Sequence, residues 1–413
     1  MDGDPAVDPR LDSFSLTFPL PYRVAFIVIL AVWGWGMNLH FLHIRRIDVP
    51  DLIRYPRRSN TLQPTHHHST YRLASFLSLT SGASILIFWL ATRRDPQRVI
   101  DYDWLPMANL FSLAVLFAIP LRRLSVSHTG RSRLLSTLRR ISVGGLAEAK
   151  DGKFGDILLA DVLTSYAKIL ADLFVCLCMF LTHDGSATAR PDRDCGGDVL
   201  VPLILAVPSA IRLRQCLIEY VRVRSGPYRE ATGWGGQHLA NAAKYSTAFP
   251  VILLAAMLRN QQDGGSSPGL YRAWVAACLL NALYSFYWDV TKDWDLTLFA
   301  GARARNAPDQ PFGLRRRLLV HRPGVYYAVI ALDLALRCTW VIKLHPQMDR
   351  LSNFESSIFL IQFLEVLRRW VWIFFRVETE WIRNAAPGLG ADGALVLLGD
   401  FQGNGSKYAD EIE

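Results

Sequence analysis

The chain has 413 residues, of which 51% are hydrophobic and only 20% are charged. A typical soluble domain has about 25% charged residues, and a disordered chain needs low hydrophobicity, so the composition argues against both classes. The formal net charge is +9, but the chain shows no nucleic-acid-binding motif, and most of the excess lies between apolar segments. We therefore predict a membrane protein in contact with the lipid bilayer and no nucleic-acid partner.

The apolar residues collect in blocks of about 20, the length that crosses a bilayer core. We predict an all-α fold, a polytopic integral membrane helical bundle with about nine transmembrane helices. The predicted spans are residues 22–44, 73–92, 104–121, 157–182, 199–218, 239–258, 270–288, 325–343 and 354–376. Residues 131–147 form a short, basic, amphipathic segment that we place on the membrane surface.

Basic residues alternate in number from loop to loop. One set of loops holds 25 Lys and Arg residues, whereas the opposite set holds 8. The positive-inside rule places the richer set in the cytoplasm, with a lumenal or external N-terminus and a cytosolic C-terminus. We divide the chain into a lumenal segment 1–21, N-terminal helices 22–156, a transmembrane core 157–383 and a Gly-rich disordered cytosolic tail 384–413.

The cysteine and histidine patterns predict neither a disulfide framework nor a metal site. The six cysteines are scattered and show no CxxC spacing. The run His66–His68 follows His40 and His43, but it stands alone in an Arg-rich loop, and we interpret it as solvated. No nucleophile elbow, P-loop or zinc-protease motif is present, so we predict no cofactor and no enzyme activity.

Charged residues inside the predicted spans are the main functional signal, because a charge in the bilayer is costly and marks a functional site by default. The candidate cations are Arg212, Lys244, Arg337, Arg368 and Arg369, and the candidate acids are Asp161, Asp333 and Glu365. Guanidinium groups bind phosphate and carboxylate in bidentate fashion, so a surplus of buried Arg predicts an anion pathway.

Other charges in the spans have two interpretations of equal weight. Lys168, Asp172, Arg214, Asp289 and Arg376 are either part of the same pathway or ordinary ion pairs and snorkelling residues. Arg337, Arg368 and Arg369 lie deep in their spans, where snorkelling is difficult, and they favour the pathway. Composition alone identifies an anion and does not identify phosphate.

Several longer motifs carry a family resemblance. The stretch LEVLRRWVWIFFRVETE at 364–380, the stretch HLANAAKYST at 238–247 and the Leu-Ala-Asp motif at 159–161 resemble signatures of the EXS family. Arg212 with Gln215, and Tyr287-Trp288-Asp289, resemble further motifs of that family. The similarity runs from about residue 22 to 383. The family includes phosphate exporters of the retrovirus-receptor type and the fungal ER-retention-defective proteins.

The resemblance implies a phosphate pathway. The implied lining residues are Asp161, Thr164, Arg212, Lys244, Arg337, Trp340, Glu365, Arg368 and Arg369. Thr164 departs from the pattern, since the exporters have Asn there. The exporters also carry a regulatory SPX domain in front of the helices, whereas this sequence has 21 residues before its first span. It therefore looks like the ER-retention branch, which implies a multi-pass protein of the Golgi membrane and leaves cycling through the ER open.

The combined expectation is a transporter that moves inorganic phosphate from the Golgi lumen to the cytosol, and thereby supports glycosylation and protein retention. The alternative is a membrane adaptor without transport activity. Its basic loops and tail would dock the machinery that sorts glycosyltransferases. The sequence leaves open whether transport is channel-like or alternating, whether protons are coupled, and whether the protein forms a homodimer.

Overall fold

The computed structural model describes residues 11–54, 66–118, 128–182, 186–225, 235–261, 267–301, 311–315, 317–344 and 354–385, and these residues form helices and connections without a strand. The first seven helices are α1 (Ser13–Thr17), α2 (Leu20–Ile44), α3 (Val49–Leu52), α4 (His66–Thr92), α5 (Pro96–Asp101), α6 (Trp104–Ala118) and α7 (His128–Arg139). The next five are α8 (Lys153–Ser165), α9 (Ala167–Leu181), α10 (Leu200–Ser225), α11 (Gly236–Ser246) and α12 (Ala248–Asn260). The last three are α13 (Pro268–Trp288), α14 (Pro323–Arg337) and α15 (Glu355–Ala385).

Each predicted span falls on a helix or on a pair of helices, but nine membrane crossings are not confirmed. Four segments of the described chain are long and apolar enough to cross a bilayer: Leu20–Ile44, His67–Thr92, Leu200–Ser225 and Gly236–Asn260. The bent pair α8–α9 brings the number to as many as five. Among the others, α6 and α14 have 15 residues each, fewer than the roughly 20 that a bilayer core requires.

Two predicted spans are each divided into two α-helices, and a third, 325–343, continues from α14 into a 3-10 helix at Thr339–Leu344. The span 157–182 consists of α8 and α9, which meet at Tyr166 with a bend of 62°. The span 239–258 consists of α11 and α12, which are separated by Thr247. The apolar pattern continues through both interruptions, so hydrophobicity alone does not reveal them.

The helix α2 is the centre of the packing. Its first half packs with α4, α6 and α9 in a core that includes Ile27, Leu77 and Val175. Its second half contributes to a separate core with α13, α14 and α15, where Trp294 and Trp372 are almost fully buried. The long helix α15 contacts α2, α8 and α14, so charged residues on α15 can meet side chains from several helices.

The basic segment predicted at 131–147 is helical over most of its length. The helix α7 continues into a π-helix at Arg140–Gly144. The Asp156 carboxylate of α8 pairs with Arg140 and accepts a hydrogen bond from the backbone N–H of Ala147 at 2.8 Å. The hydrogen bonds that Arg140 donates to Asp156 raise the pKa of the Arg140 guanidinium. This contact fastens the basic segment to the transmembrane core.

Two sequence predictions are wrong. Cys178 at the end of α9 forms a disulfide with Cys195 in the following connection, whereas the spacing of the cysteines predicts no disulfide framework. His67 is 5% exposed rather than solvated, and its ring stacks on His40 with 4.5 Å between centroids, because His66–His68 begin α4 beside α2. The predicted disordered tail lies outside the described residues from 386 onward, whereas 384–385 complete α15.

Candidate functional site

The five predicted cations come from four helices and lie in one buried region. The helix α15 supplies Arg368 and Arg369, while α14, α10 and α11 supply Arg337, Arg212 and Lys244. Arg212 is 2% exposed and Arg368 is 4% exposed. Burial of such groups is favourable only when charge partners and hydrogen bonds replace the lost water. The partners of each cation therefore determine what the site can do.

Arg368 is the most heavily paired of these cations. Glu365, one turn earlier on α15, accepts from its Nε at 2.9 Å and from its Nη2 at 2.6 Å. The Nη1 donates to Asp333 of α14 at 2.9 Å and to Asp289 at 3.4 Å. Three carboxylates therefore surround one guanidinium, and this geometry fixes α15 against α14 and the end of α13.

Arg337 pairs with two of these three carboxylates, those of Asp333 and Asp289. Its Nε donates to Asp333 at 3.0 Å, a pair with the four-residue spacing of a helix face, and its Nη2 donates to Asp289. Asp289 begins the π-helix Asp289–Asp293 that follows α13. Because Asp289 is 1% exposed and is shared by two arginines, it links α13, α14 and α15.

Arg212 forms a second paired group. Its Nε donates to Asp161 of α8 at 2.7 Å, and its Nη1 donates to Gln215 at 2.6 Å. The Tyr245 hydroxyl also donates to Asp161, and the guanidinium lies 4.9 Å from the centroid of the Tyr245 ring. Asp161 therefore joins α8 to α10 and α11.

Arg369 and Lys244 are held differently. Arg369 donates from Nε to the Ser165 hydroxyl at 2.9 Å and from Nη2 to the Thr164 hydroxyl at 3.2 Å, and it lies 4.5 Å from the Trp372 ring centroid. Among the described residues, no carboxylate forms a salt bridge with it. The Lys244 amine lies 4.0 Å from Asp289, at the limit of an ion pair.

The formal charges leave this cluster positive. Within this group, five cations (Arg212, Lys244, Arg337, Arg368 and Arg369) face four carboxylates (Asp161, Asp289, Asp333 and Glu365), a difference of one positive charge, while the adjoining Asp293, which also interacts with Lys244, lies 3.9 Å from Arg376. The surplus is associated with Arg369 and Lys244, the two cations with the weakest anionic partners. An anion bound there would restore neutrality and would find hydroxyl groups already placed beside it. We call these nine residues the central cluster.

The structure brings together most of the predicted site residues and adds others. Trp340 is the exception, because its ring packs edge to face against Trp274 of α13 at 6.4 Å and makes no described contact with the central cluster. Asp289 had equal weight as an ordinary ion pair, whereas Tyr245 and Gln215 appeared only within motifs. The sequence signal for each is its neighbour: Asp289 follows Trp288, Tyr245 follows Lys244, and Gln215 lies three residues after Arg212.

Comparison with known proteins gives the same family as the motifs. The model of the EXS family matches residues 18–382. Protein ERD1 homolog 1 of Schizosaccharomyces pombe is 30% identical over 91% of this chain and 94% of its own length. Protein ERD1 of Kluyveromyces lactis is 29% identical over 92% of this chain and 98% of its own.

A second group of relatives is longer. Solute carrier family 53 member 1 of Homo sapiens is 27% identical over 88% of this chain but only 50% of its own length. The chain thus spans about half of that protein. The described residues include helices that are long and apolar enough to cross a bilayer, and the family match covers most of the chain. Both findings fit a helical membrane protein. The chain belongs to the EXS family.

Proposed function

We propose that this protein carries inorganic phosphate across a membrane through the central cluster. The observation that supports the proposal is the state of Arg369, a buried guanidinium held by two hydroxyl groups and an aromatic ring rather than by a carboxylate. Planar guanidinium groups bind phosphate in bidentate fashion, and positive linings are expected in anion pathways. The name of one relative, a solute carrier, supports the same class of activity.

Binding would exchange the water around phosphate for donors of the protein. Arg369 and Lys244 supply the charge, and the Thr164 and Ser165 hydroxyls, which accept hydrogen bonds from Arg369, hold its guanidinium in place for the anion. Release requires the cations to find other partners. Asp161, Asp289 and Glu365 provide them, since each already pairs with a neighbouring cation. Competition between carboxylates and phosphate would keep binding moderate, which permeation requires.

We infer that the protein acts in a Golgi membrane and moves phosphate from the lumen to the cytosol. The ERD1 relatives cover almost the whole chain, in agreement with the ER-retention branch. The disulfide Cys178–Cys195 lies at the end of the molecule that the basic-residue count makes lumenal, and disulfides persist in oxidising compartments. Removal of phosphate released by lumenal glycosylation reactions would support glycosylation and, through it, retention of resident proteins.

Phosphate flux from loaded liposomes that contain the purified full-length protein tests this proposal. We compare the wild type with Arg369→Ala, Arg369→Lys and Arg98→Ala, the last an exposed arginine on α5. Flux should disappear in Arg369→Ala, persist in part in Arg369→Lys and remain unchanged in Arg98→Ala. Absence of flux from monodisperse wild-type protein, or equal flux from Arg369→Ala, would reject a phosphate pathway at this cluster.

The adaptor function makes the opposite prediction in cells. An adaptor needs its cytosolic surfaces, so deletion of 386–413 should cause secretion of retained lumenal proteins while Arg369→Ala should not. If the protein is a transporter, Arg369→Ala should cause secretion of retained proteins and deletion of 386–413 should not. Measurement of secreted lumenal protein in cells that express each variant at equal levels distinguishes the two.

A further inference from the structure

A cavity of about 670 Å³ lies where three segments of the chain converge. The end of α2 contributes 44–46, the connection before α14 contributes 317–319 and 321, and the end of α15 contributes 381–382. The central cluster shares none of these residues. The cavity therefore needs an explanation of its own.

The ionisable side chains that line the cavity are all Arg or His. Arg45, Arg46, Arg317 and His321 line it, and none of the described lining residues is Asp or Glu. Arg46 and Arg317 are exposed. Arg45 donates to the Leu319 carbonyl at 3.3 Å, and its guanidinium lies 5.5 Å from the Phe41 ring centroid. One arginine is thus positioned by the protein, while two are available to an anion.

The remaining lining is apolar, and its location is specific. Ile44, Leu318, Leu319, Trp381 and Ile382 complete the cavity. Ile44 is the last residue of a helix apolar enough to cross the bilayer, so the cavity lies at the boundary between the apolar core and the headgroups. Tryptophan is enriched at this boundary. A ligand with an anionic head and an apolar tail matches such a lining.

The wall that carries Arg317 and Leu319 is anchored to the core. The Glu378 carboxylate of α15, which is 1% exposed, accepts from the Leu319 N–H and from the Tyr326 hydroxyl, each at 2.8 Å. The same oxygen lies 3.1 Å from Nη2 of Arg315. These bonds hold the connection before α14 against α15, so the cavity is a built feature of the fold.

We propose that this cavity binds the phosphorylated headgroup of an inositol phospholipid. The lining belongs to segments that the basic-residue count makes cytosolic, which selects the cytosolic leaflet. Basic pockets between helices on this side suit phosphoinositide headgroups, and paired guanidinium groups suit a phosphate monoester. The acyl chains would leave along Ile44 and Trp381 into the bilayer. The site does not depend on phosphate transport by the central cluster.

Binding of short-chain lipids to the purified full-length protein in detergent tests the proposal without a transport measurement. The probes are dioctanoyl phosphatidylinositol 4-phosphate, dioctanoyl phosphatidylinositol, dioctanoyl phosphatidylserine, the soluble headgroup inositol 1,4-bisphosphate, and inorganic phosphate. The phosphorylated lipid should bind at least about tenfold more tightly than the other four, since only it offers both the phosphate monoester and the acyl chains.

The variant pair locates the site. Arg46→Ala/Arg317→Ala should weaken binding of the phosphorylated lipid by at least about tenfold, and Arg46→Lys/Arg317→Lys should restore part of it. The matched control is Arg72→Ala/Arg224→Ala, two exposed arginines that the basic-residue count also places on the cytosolic side and that do not line the cavity. It should bind like the wild type.

Three outcomes would overturn the proposal. Equal binding of the soluble headgroup or of inorganic phosphate would show a site for free phosphate. Equal binding of phosphatidylserine would show attraction to any anionic lipid. Equal losses in the cavity variant and in the matched control would show a dispersed surface charge without a pocket. If phosphate flux fails while the phosphorylated lipid binds as described, only the transport proposal falls.

Discussion

The central cluster and a second buried group of charges near the start of α2 show two ways of holding ions inside the same bundle. We call the second group the terminal cluster; it consists of Arg23, Arg193, Glu355 and Asp172. Arg23 donates to Glu355, to the Ser15 hydroxyl and to the Phe18 carbonyl, each at 2.7 Å. Every nitrogen of that guanidinium therefore has a partner.

The terminal cluster is also balanced in charge. Glu355 accepts two hydrogen bonds from Arg193, at 2.6 and 3.1 Å, and one from Arg23. Asp172 accepts a hydrogen bond from Gln362 at 2.6 Å. Two cations face two carboxylates, whereas the central cluster has one cation in excess. Both groups are buried, so burial does not distinguish them. The difference indicates that surplus charge and weakly held donors, rather than buried charge itself, mark the candidate site.

The largest effect should come from Arg368→Ala. This change leaves Glu365 without its arginine and leaves Asp333 and Asp289 paired only with Arg337 among their arginines in the central cluster, and breaking a buried ion pair costs roughly 3–5 kcal/mol. We expect aggregation or a strongly reduced melting temperature in fluorescence-detected size-exclusion assays. The control Arg369→Ala leaves only hydroxyls unpaired and should stay folded; equal stability of the two variants would contradict the contrast between neighbouring arginines.

Glu355→Gln should destabilise the protein by about 3 kcal/mol, because it leaves the buried Arg23 and the half-buried Arg193 without their common carboxylate. Thermal unfolding in detergent measures the loss. Phosphate flux per folded molecule should remain at the wild-type level. A selective loss of flux with normal stability would place the terminal cluster in the pathway and end the distinction drawn above.

The disulfide should contribute about 2–3 kcal/mol, since it closes a short loop between α9 and the connection that holds Arg193. Cys178→Ser should lower the melting temperature, and a reducing agent should act only on the wild type. Cys216→Ser, a change at a buried free cysteine, is the comparison variant. Recovery of the Cys178 thiol in its reduced form from cells would count against a lumenal position.

The smallest change concerns a hydroxyl group that contacts Arg369 of the central cluster. Thr164→Val removes the partner of the Arg369 Nη2 and should weaken phosphate binding by about 1 kcal/mol, roughly fivefold. Thr164→Asn introduces the residue of the related exporters and should strengthen it. Half-maximal phosphate concentration for flux is the measurement. Identical values for Val, Asn and Thr would show that position 164 does not contact the anion.

Much of the central cluster could be predicted from sequence because a charge in an apolar span is a strong signal. Arg212, Lys244, Arg337 and Arg368 meet in the structure as the sequence predicts. Asp289 was ambiguous since it follows its span, where snorkelling and pairing look the same. Trp340 is predicted to share a helical face with Asp333 and Arg337 and is implied as a lining residue by the family resemblance, but its described ring contact is with Trp274.

Other features depend on neighbours in space and leave no local pattern. The disulfide needs Cys178 and Cys195 to approach across a connection, and six scattered cysteines do not reveal which pair does so. The stacking of His67 on His40 depends on the packing of α4 against α2. The break at Tyr166 lies within a stretch whose length and mean hydropathy suit one bilayer crossing, so the sequence predicts a single span.

That break has a mechanical consequence. Asp161 on α8 belongs to the central cluster, and Asp172 on α9 belongs to the terminal cluster, with Tyr166 between them. A single continuous helix would transmit any displacement of one carboxylate to the other. A joint at a single residue allows a torsional change there to swing one half-helix while the other keeps its partners. The central cluster can therefore change its partners while the terminal cluster keeps its own.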